Sequence, residues 1–538
     1  MRTISPLRHL RLLLAVLVLP LSLAAQQPAT LEGQRIYDHI KYLASDSCAG
    51  RAPGTRGIEN AAAYIVDQFK MAPAMPAGRE GYLDTFRMTT GVKLGAQNSV
   101  TFNVVIERPG IPLEQTKPTK IAWKLGTDYQ PWGFSESGSV SGNIVFAGYG
   151  LSTSTYDDYA GVDVKGKLVI VLRGLPKWGA KDEALKQLAS LRSKATVARD
   201  KGAVAIAFVN EMGDSADVLA RFGMDRLGKN SGIIALQVRR TPCAKVFPPK
   251  GTTLYAAELA IEKTKKPQSF ELVNTSAEIT TSLVFEESLT RNVIGLVQGS
   301  DPTLSTEYVV VGAHYDHLGM GDENSLASSP QPSIHYGADD NASGTAGLIE
   351  LAYRIAKDPP KRSVLFMAFS GEEKGLLGSK HWVSNPTIAL ERVVAMINLD
   401  MIGRLKDGKL NVQGVGTSPE WPAVVDSAKK DLPLTVTTTA DGFGPSDHSS
   451  FTGKGIPVLF YFTGLHSDYH RPSDTWDKTN PDGEATVLTM VERSLRMISN
   501  APVRPAFTKG AEKPAPNQSS SIALKVTFGV VPDYADDP

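Results

Sequence analysis

The N-terminal part of the chain has the hydrophobic pattern of two helices. Ile36, Ile40 and Leu43 recur at helical spacing, and a second helical run covers residues 61–69. Between them, residues 50–57 are rich in glycine, proline and arginine, which is typical of a turn. The pattern therefore predicts two helices over residues 32–70, joined by an ordered turn.

Further along, short continuous apolar runs alternate with amphipathic stretches. Residues 183–200 have a helical pattern between two apolar runs, and residues 346–356 form an amphipathic helix. Strands are predicted at 98–106, 119–125, 143–150, 167–173, 201–210, 308–313, 363–369, 393–399 and 457–462. Continuous apolar strands that alternate with helices favour a sheet covered on both faces. We therefore expect an α/β fold with a mixed, mostly parallel sheet sandwiched by helices, and a smaller α/β unit inserted before residue 280.

The first 25 residues have the pattern of an export signal. Arg2, Arg8 and Arg11 precede an apolar run, 12–23, and small residues at 22–25 offer cleavage sites. A membrane anchor is the alternative, but the run is shorter than the ~20 residues that a spanning helix needs. The sequence thus predicts an exported protein, periplasmic or secreted, with no stable membrane insertion after the signal is removed.

Composition narrows the chemistry further. The 538 residues carry a formal net charge of +1, without a basic stripe, so no nucleic-acid partner is expected. Cys48 and Cys243 are the two cysteines of the chain, and both a disulfide and two separate thiols are open. Any metal site must therefore be built from histidine and carboxylate ligands.

Acidic residues and histidines fall just beyond the predicted strands between 285 and 500. Functional residues collect at such strand ends in α/β sheets. Singly, an acid or histidine there is more often a helix cap or a solvated loop residue. Jointly, they suit Zn²⁺ in a hydrolytic site, with Mn²⁺ or Co²⁺ as alternatives. The five candidates are His314, Asp340, Glu373, Asp400 and His470.

The stretches that carry these residues resemble metallopeptidase family twenty-eight, the co-catalytic di-zinc aminopeptidases. They read AHYDHLG from 313, GADDNASG from 337, FSGEEKGLLGS from 369, NLDMIG from 398 and DYHRPSDT from 468, in the order found in the family. The resemblance implies a zinc-peptidase fold of the phosphorylase/hydrolase type. Residues 46–57 resemble the N-terminal segment of the secreted bacterial members, and residues 130–280 resemble their protease-associated insert.

The resemblance also implies a role for each residue. His314 and Asp400 would bind one zinc ion, Glu373 and His470 the other, and Asp340 would bridge the two. Asp340 is chosen over Asp339 because the bridging aspartate of the family directly precedes the Asn-x-Ser-Gly type of stretch. Asp339 is then structural.

Three further residues are assigned catalytic roles by the same resemblance. Asp316 would hold the imidazole of His314, and Glu372 would be the general base that takes the proton of the water from which the metal-bound hydroxide forms. Tyr469 is a candidate hydrogen-bond donor to the oxyanion, with plain packing as the alternative. Asp447 and His448 are expected to support the pocket and not to bind metal.

The implied organisation has five parts. We expect a signal peptide (1–25), an N-terminal part of the peptidase domain (26–130), a protease-associated insert (131–280), the catalytic zinc domain (281–500), and a linker with a tail (501–538). The tail resembles the start of a PDZ domain. The insert would form a wall or lid over the cleft, or serve only as a stabilising appendage.

The implied activity is release of N-terminal residues from peptides with a free N-terminus, using two Zn²⁺ per chain. A carboxypeptidase or dipeptidase of the same family is one alternative. A catalytically inactive binding protein like the transferrin receptor is another, weakened because the ligand set and the base are all present. A single-zinc glutaminyl cyclase is less favoured, because Asp340 and Asp400 are retained beside two histidines.

Overall fold

The computed structural model of the chain describes residues 28–106, 110–112, 115–213, 216–223, 231–247, 252–322, 324–329 and 331–509. Within these ranges the chain forms two β-sheets with helices packed on them. The α-helices are α1 (Leu31–Leu43), α2 (Arg56–Met71), α3 (Glu183–Gln187), α4 (Leu191–Asp200), α5 (Arg240–Ala244), α6 (Leu254–Thr264), α7 (Gly344–Lys357), α8 (Leu377–Ser384), α9 (Trp421–Ala428), α10 (His448–Thr452) and α11 (Pro481–Asn500).

The larger sheet combines N-terminal strands with the strands between 283 and 462. Its members are β1 (Met75–Pro76), β2 (Leu83–Leu94), β11 (Leu283–Val297), β12 (Tyr308–His314), β13 (Ser363–Phe369), β14 (Val393–Leu399), β15 (Lys409–Gln413), β16 (Thr435–Thr439) and β17 (Val458–Phe462). Their order is β1-β11-β13-β12-β14-β17-β15-β16, with β2 beside β11. The central strands β13, β12, β14 and β17 are parallel, whereas β11 and β15 run antiparallel to their neighbours β13 and β17. The prediction of a mixed sheet at this position is confirmed. Among the described residues of this sheet, parallel pairing is limited to the central strands and to β15–β16, so four strand pairs are parallel and four are antiparallel.

Both faces of this sheet are buried along its central strands, which explains why the middle of each of these strands is apolar. Val309 and Val311 of β12 pack into a core with α1, α2, α7 and α11. Val310, which points the other way, packs into a second core with Trp382 of α8 and Phe451 of α10. Successive side chains of a strand point to opposite faces, so a strand covered on both sides needs an unbroken apolar run.

The smaller sheet lies between 99 and 281. Its strands are β3 (Ser99–Val104), β4 (Thr119–Trp123), β5 (Tyr129–Pro131), β6 (Gly138–Phe146), β7 (Leu168–Leu172), β8 (Ala205–Val209), β9 (Ile234–Val238) and β10 (Phe270–Thr281), in the order β4-β3-β10-β6-β7-β8-β9-β5. β3 and β4 precede residue 131, where the protease-associated insert is predicted to begin. That domain boundary stays a prediction.

The predicted helix over 183–200 is wrong in its middle. The chain forms two helices there, α3 and α4, and the Ser190 hydroxyl accepts a hydrogen bond from the Ser193 amide at 3.0 Å. This is an N-cap, which satisfies an amide at the start of α4 and so begins a new helix within the periodic stretch.

The sequence also left open whether the two cysteines form a disulfide. Cys48 and Cys243 are both buried and unpaired, in different cores, so the two-thiol alternative is confirmed. The predicted signal peptide lies outside the described residues, and so does residue 510 onward of the predicted tail, where the sequence resembles the start of a PDZ domain. Within the described ranges, no helix is both long and apolar enough to cross a membrane.

Candidate metal centre

The predicted ligands meet at the carboxyl edge of the parallel strands. His314 is the last residue of β12, Asp400 directly follows β14, and Glu373 lies in the turn after β13. Asp340 belongs to an irregular turn, Ala338–Ser343, that leads into α7, and His470 lies in the loop after β17. All five side chains are buried. Parallel strands end at the same edge of a sheet, which is why residues spread over the sequence converge here.

Their polar atoms form two groups that share Asp340. His314 Nε2 lies 3.4 Å from Asp340 Oδ1 and 3.4 Å from Asp400 Oδ1. His470 Nε2 lies 3.2 Å from the other oxygen of Asp340, Oδ2, and 3.2 Å from Glu373 Oε2. We call His314, Asp340 and Asp400 the first half-site, and Asp340, Glu373 and His470 the second half-site.

The spacing of these atoms fits zinc ligands. Donor atoms about 2.0–2.1 Å from a tetrahedral ion are separated from one another by roughly 3.3–3.4 Å. The four nitrogen–oxygen distances of 3.2–3.4 Å match this separation. Asp400 Oδ1 has no hydrogen-bond partner among the residues that the structure describes. The donor set and its geometry therefore suit a cation in each half-site.

Electrostatics within the cluster favour an ionised Glu373, whereas burial raises the pKa of Asp400. Burial alone would raise the pKa of Glu373, but the imidazoles of His470 and His317 hold it well below its usual range. Burial likewise opposes protonation of His314, yet the carboxylate of Asp400 raises the pKa of that imidazole well above its ordinary value. The imidazoles and carboxylates of the cluster thus stabilise each other's charged forms.

Asp316 contacts the site through both its backbone and its side chain. Its carbonyl oxygen lies 3.2 Å from His314 Nδ1, whereas its carboxylate Oδ1 lies 3.7 Å from the same nitrogen. The carboxylate accepts hydrogen bonds from the amides of Glu372 at 3.1 Å and Glu373 at 3.4 Å. The backbone of Asp316 is thus the closer partner of His314, and its side chain orders the turn that carries both glutamates.

Glu372 and Tyr469, the other predicted catalytic residues, each directly precede a candidate ligand in the chain. Glu372 is buried and directly precedes Glu373. The Tyr469 ring stacks on His470, with centroids 3.9 Å apart, and packs against Met401 and Phe460. The Tyr469 ring therefore packs as the alternative role requires, and hydrogen-bond donation by its hydroxyl stays a prediction.

Asp339 points away from the half-sites, into the backbone beneath them. Its Oδ1 accepts hydrogen bonds from the Gly403 amide at 2.7 Å and the Ser343 hydroxyl at 3.0 Å. Asp474 Oδ2 accepts the amides of Asp339 and Asp340 at 3.0 and 3.1 Å, and Arg404 binds the other oxygen of Asp474. This network fixes the backbone from which Asp340 projects.

Residues 446–448 line the far side of the first half-site. The Ser446 hydroxyl donates to Asp400 Oδ2 at 2.8 Å and accepts from Asn398 Nδ2 at 2.8 Å. Burial raises the pKa of Asp447 to about 7 and lowers that of His448 to about 3. The His448 ring stacks on Phe460, at 4.5 Å between centroids. Both residues are packed behind the site, as a supporting role requires.

Sequence reasoning missed two residues that hold the second half-site. His317 Nδ1 lies 2.8 Å from Glu373 Oε1. The carbonyl of Asn324 faces His470 Nδ1 at 2.9 Å, and its side chain donates to the Glu373 carbonyl at 3.2 Å. His317 was visible in the stretch that contains His314, but its partner lies 56 positions away. Asn324 lies outside every stretch that resembles the family, so nothing in the sequence pointed to its contact with the site.

The chain is similar in sequence to known peptidases over the part that carries the candidate ligands. Residues 292–494 match the model of peptidase family M28. A probable leucine aminopeptidase of Arthroderma otae is 33% identical over 194 residues, which cover 34% of this chain and 51% of the relative. Aminopeptidase YwaD of Bacillus subtilis is 29% identical over 222 residues, covering 39% of this chain and 45% of that protein. The chain thus spans about half the length of these curated relatives.

Two solved structures show the same fold. An aminopeptidase from Aneurinibacillus sp. strain AM-1 superposes with a TM-score of 0.55 at 20% identity, covering 90% of this chain and 96% of that one. BSAP, a zinc aminopeptidase from Bacillus subtilis, gives a TM-score of 0.51 at 19% identity, covering 90% of this chain and 100% of that one.

Proposed function

We propose that the chain, whose residues 292–494 match the model of peptidase family M28, is an exported di-zinc aminopeptidase of that family. It would release N-terminal residues from peptides that have a free amino group. The observation that carries the proposal is the pair of half-sites that share the two oxygens of Asp340. Relatives named as a leucine aminopeptidase and as a zinc aminopeptidase support the same activity.

Charge supports two ions in place of one. Asp340, Glu373 and Asp400 bring three carboxylates into one buried cluster. A single divalent ion would compensate two of the three carboxylates, whereas two ions would compensate all three. The near-equal ligand spacing in both half-sites supports the same count.

The mechanism assigns the chain's own residues to binding, orientation and proton transfer. When bound, two zinc ions supply Lewis-acid activation of the scissile carbonyl and of the attacking water. Glu372 accepts the water proton and returns it to the leaving amine. Asp316 holds the amides of Glu372 and Glu373, so that one glutamate binds metal while its neighbour serves as base. Tyr469 is the proposed donor to the developing oxyanion.

The insert, residues 131–280, is proposed to be a protease-associated domain that limits access to the cleft. A contact supports this placement: Arg221 Nη1 lies 3.5 Å from the carbonyl of Asp322. Asp322 lies two residues before Asn324, whose carbonyl faces His470. The insert thereby reaches the loop that holds the second half-site. Export is proposed from the pattern of residues 1–25.

The decisive experiment is Glu372→Gln with zinc analysis and turnover of an amino-acid nitroanilide. We expect both ions to be retained and kcat to fall about 10²–10⁴-fold, the usual contribution of a general base. Glu484→Gln is the matched control. Burial raises the pKa of Glu484 well above its ordinary value, so a neutral amide there should leave turnover unchanged. Loss of zinc, or near-normal turnover, in Glu372→Gln would refute the assignment of the base.

Substrate preference needs a separate comparison. The wild-type protein should cleave a peptide with a free N-terminus and leave its N-acetylated form intact. Cleavage of the acetylated peptide from its C-terminus would instead identify a carboxypeptidase, and a zinc-loaded protein that cleaves neither would be a binding protein.

A further inference from the structure

His317 has no role in the proposed reaction, yet it lies at the centre of the site. It follows β12 by three residues and is buried. Its Nδ1 lies 2.8 Å from Glu373 Oε1, and its ring meets His470 edge-on at 5.8 Å between centroids. The backbone of Gly337 lies so close to the ring that a Cβ at that position would come within 2.5 Å of His317 Cδ2. The imidazole is therefore held in one orientation.

His317, Asp340 and Glu373 each place one polar atom within 4.8 Å of the others, a spacing that could hold an ion, but the individual distances favour a hydrogen-bonding role for His317. Its separation from Glu373 Oε1, 2.8 Å, is a hydrogen-bond length, shorter than the 3.2–3.4 Å between the proposed ligand atoms. Its Nδ1 is 3.9 Å from Asp340 Oδ2, farther than those ligand pairs. His317 Nε2 has no hydrogen-bond partner within the described ranges. A proton on Nδ1 donates to Glu373, whereas a proton on Nε2 would be buried unpaired.

The two half-sites hold their terminal carboxylates in the same way. Each has a terminal carboxylate with one oxygen directed at the ligand cluster and the other held by a donor. In the first, Asp400 Oδ2 accepts from the Ser446 hydroxyl at 2.8 Å. In the second, Glu373 Oε1 faces His317 Nδ1 at 2.8 Å. A carboxylate held in this way presents a single oxygen to the ion and cannot rotate away from it.

We infer that His317 is a positioning residue that sets the metal affinity of the second half-site and leaves that of the first unchanged. The inference rests on the proposed two-metal function. Loss of a hydrogen-bond partner of a metal ligand typically weakens binding about 10–100-fold. Removing the His317 donor should therefore release one of two ions under conditions in which the wild-type protein retains both.

The test is a zinc titration of the metal-free protein against a chromophoric chelator at pH 7.5. His317→Leu keeps the volume and removes the donor, and we expect one of the two binding constants to fall about 10–100-fold. His317→Asn places an amide N–H near the position of Nδ1 and should restore most of that affinity. His39→Gln is the control, because His39 is a buried histidine bonded to Tyr64, outside the ligand cluster.

A double-mutant cycle identifies the half-site involved. Ser446→Ala removes the donor to Asp400, so it should weaken the other ion. In the double variant, each binding constant should fall as it does in the corresponding single variant, because the two donors serve different ions. If both substitutions weaken the same ion, or if His317→Asn binds no better than His317→Leu, the inference is wrong.

The outcomes also separate this inference from the proposed function. Wild-type protein that binds fewer than two ions would overturn the two-metal proposal itself. Wild-type and His317→Leu proteins that bind two ions with equal affinity would overturn only the role of His317. If His317→Leu does not fold, as judged by circular dichroism, His317→Ala takes its place and carries the same expectations.

Discussion

Arg51 provides a sharp test of how the site is anchored to the rest of the molecule. Its guanidinium is fully buried and donates to four backbone carbonyls. Nε bonds Tyr315 O at 2.8 Å, Nη1 bonds Leu43 O at 2.6 Å and Tyr336 O at 2.8 Å, and Nη2 bonds Gly337 O at 2.9 Å. One side chain thus ties the end of α1 to the two segments that carry Asp316 and Asp340.

The loss of unfolding free energy expected for Arg51→Met follows from two opposing contributions. Hydrogen bonds to a charged group contribute about 1.5–3 kcal/mol each, and a buried carbonyl left unpaired costs about 1–3 kcal/mol. Against this, burying the charge is unfavourable, which is seen in the lowered pKa of Arg51. Arg51→Met removes both contributions, and we expect a net loss of about 3–5 kcal/mol, comparable to breaking a buried ion pair. That is a large share of a typical unfolding free energy of about 5–15 kcal/mol.

The assay is urea unfolding followed by circular dichroism, with zinc content measured on the same samples. Arg51→Lys should lose nearly as much as Arg51→Met, because a compact ammonium cannot reach carbonyls placed around a planar guanidinium. Arg392→Met, at an exposed position, should change stability by less than about 0.5 kcal/mol. A loss below about 1 kcal/mol in Arg51→Met would show that these four contacts do not anchor the site.

Two further predictions concern metal affinity and pH. Ser446→Ala removes the hydroxyl that donates to Asp400 and should weaken one zinc ion about 10–100-fold in the chelator titration; unchanged affinity for both ions would contradict this. Burial lowers the pKa of His39 to about 4, whereas an unfolded histidine titrates near 6.5. The unfolded chain therefore binds the proton first, and His39 makes stability fall by about 3 kcal/mol as pH drops from about 6.5 to about 4. His39→Phe should flatten this part of the curve of melting temperature against pH, and an unchanged slope would show that His39 is not its source.

The sequence predicted that the five candidate ligands lie close together, because each follows an apolar strand and parallel strands end at the same edge of a sheet. Four apolar runs, now β12, β13, β14 and β17, had to be buried on both faces, and parallel strands bring their carboxyl ends together. The family resemblance then assigned roles to the residues at those ends. The residues that hold the site in place were less visible, because their partners are distant. Arg51 contacts residues up to 286 positions away, and the pattern around it indicated only a turn.

The sequence also did not predict which of the two sheets each strand joins. The strands β3 and β4 were found as strands, but their placement in the smaller sheet depends on pairing with β10, more than 170 positions later. Composition and periodicity describe a strand's own faces and carry no information on which distant strand it will pair with. Boundaries between interleaved domains are for this reason harder to predict than the elements themselves.

The two half-sites differ in how firmly their ligands are anchored, which predicts an order of metal release. His314 ends β12 and Asp400 directly follows β14, so the first half-site is attached to the centre of the sheet. Glu373 and His470 lie in turns farther from their strands, and both are held in part by Asn324, which lies in an irregular segment. Local openings occur more readily in loops than in central strands, so the second half-site should open first. Stepwise addition of a chelator should remove one ion per chain in a fast phase and the other in a slow phase. Asn324→Ala removes the bond to the Glu373 carbonyl and should speed the fast phase alone. A single phase in the wild-type protein, or a faster slow phase in the variant, would contradict this order of release.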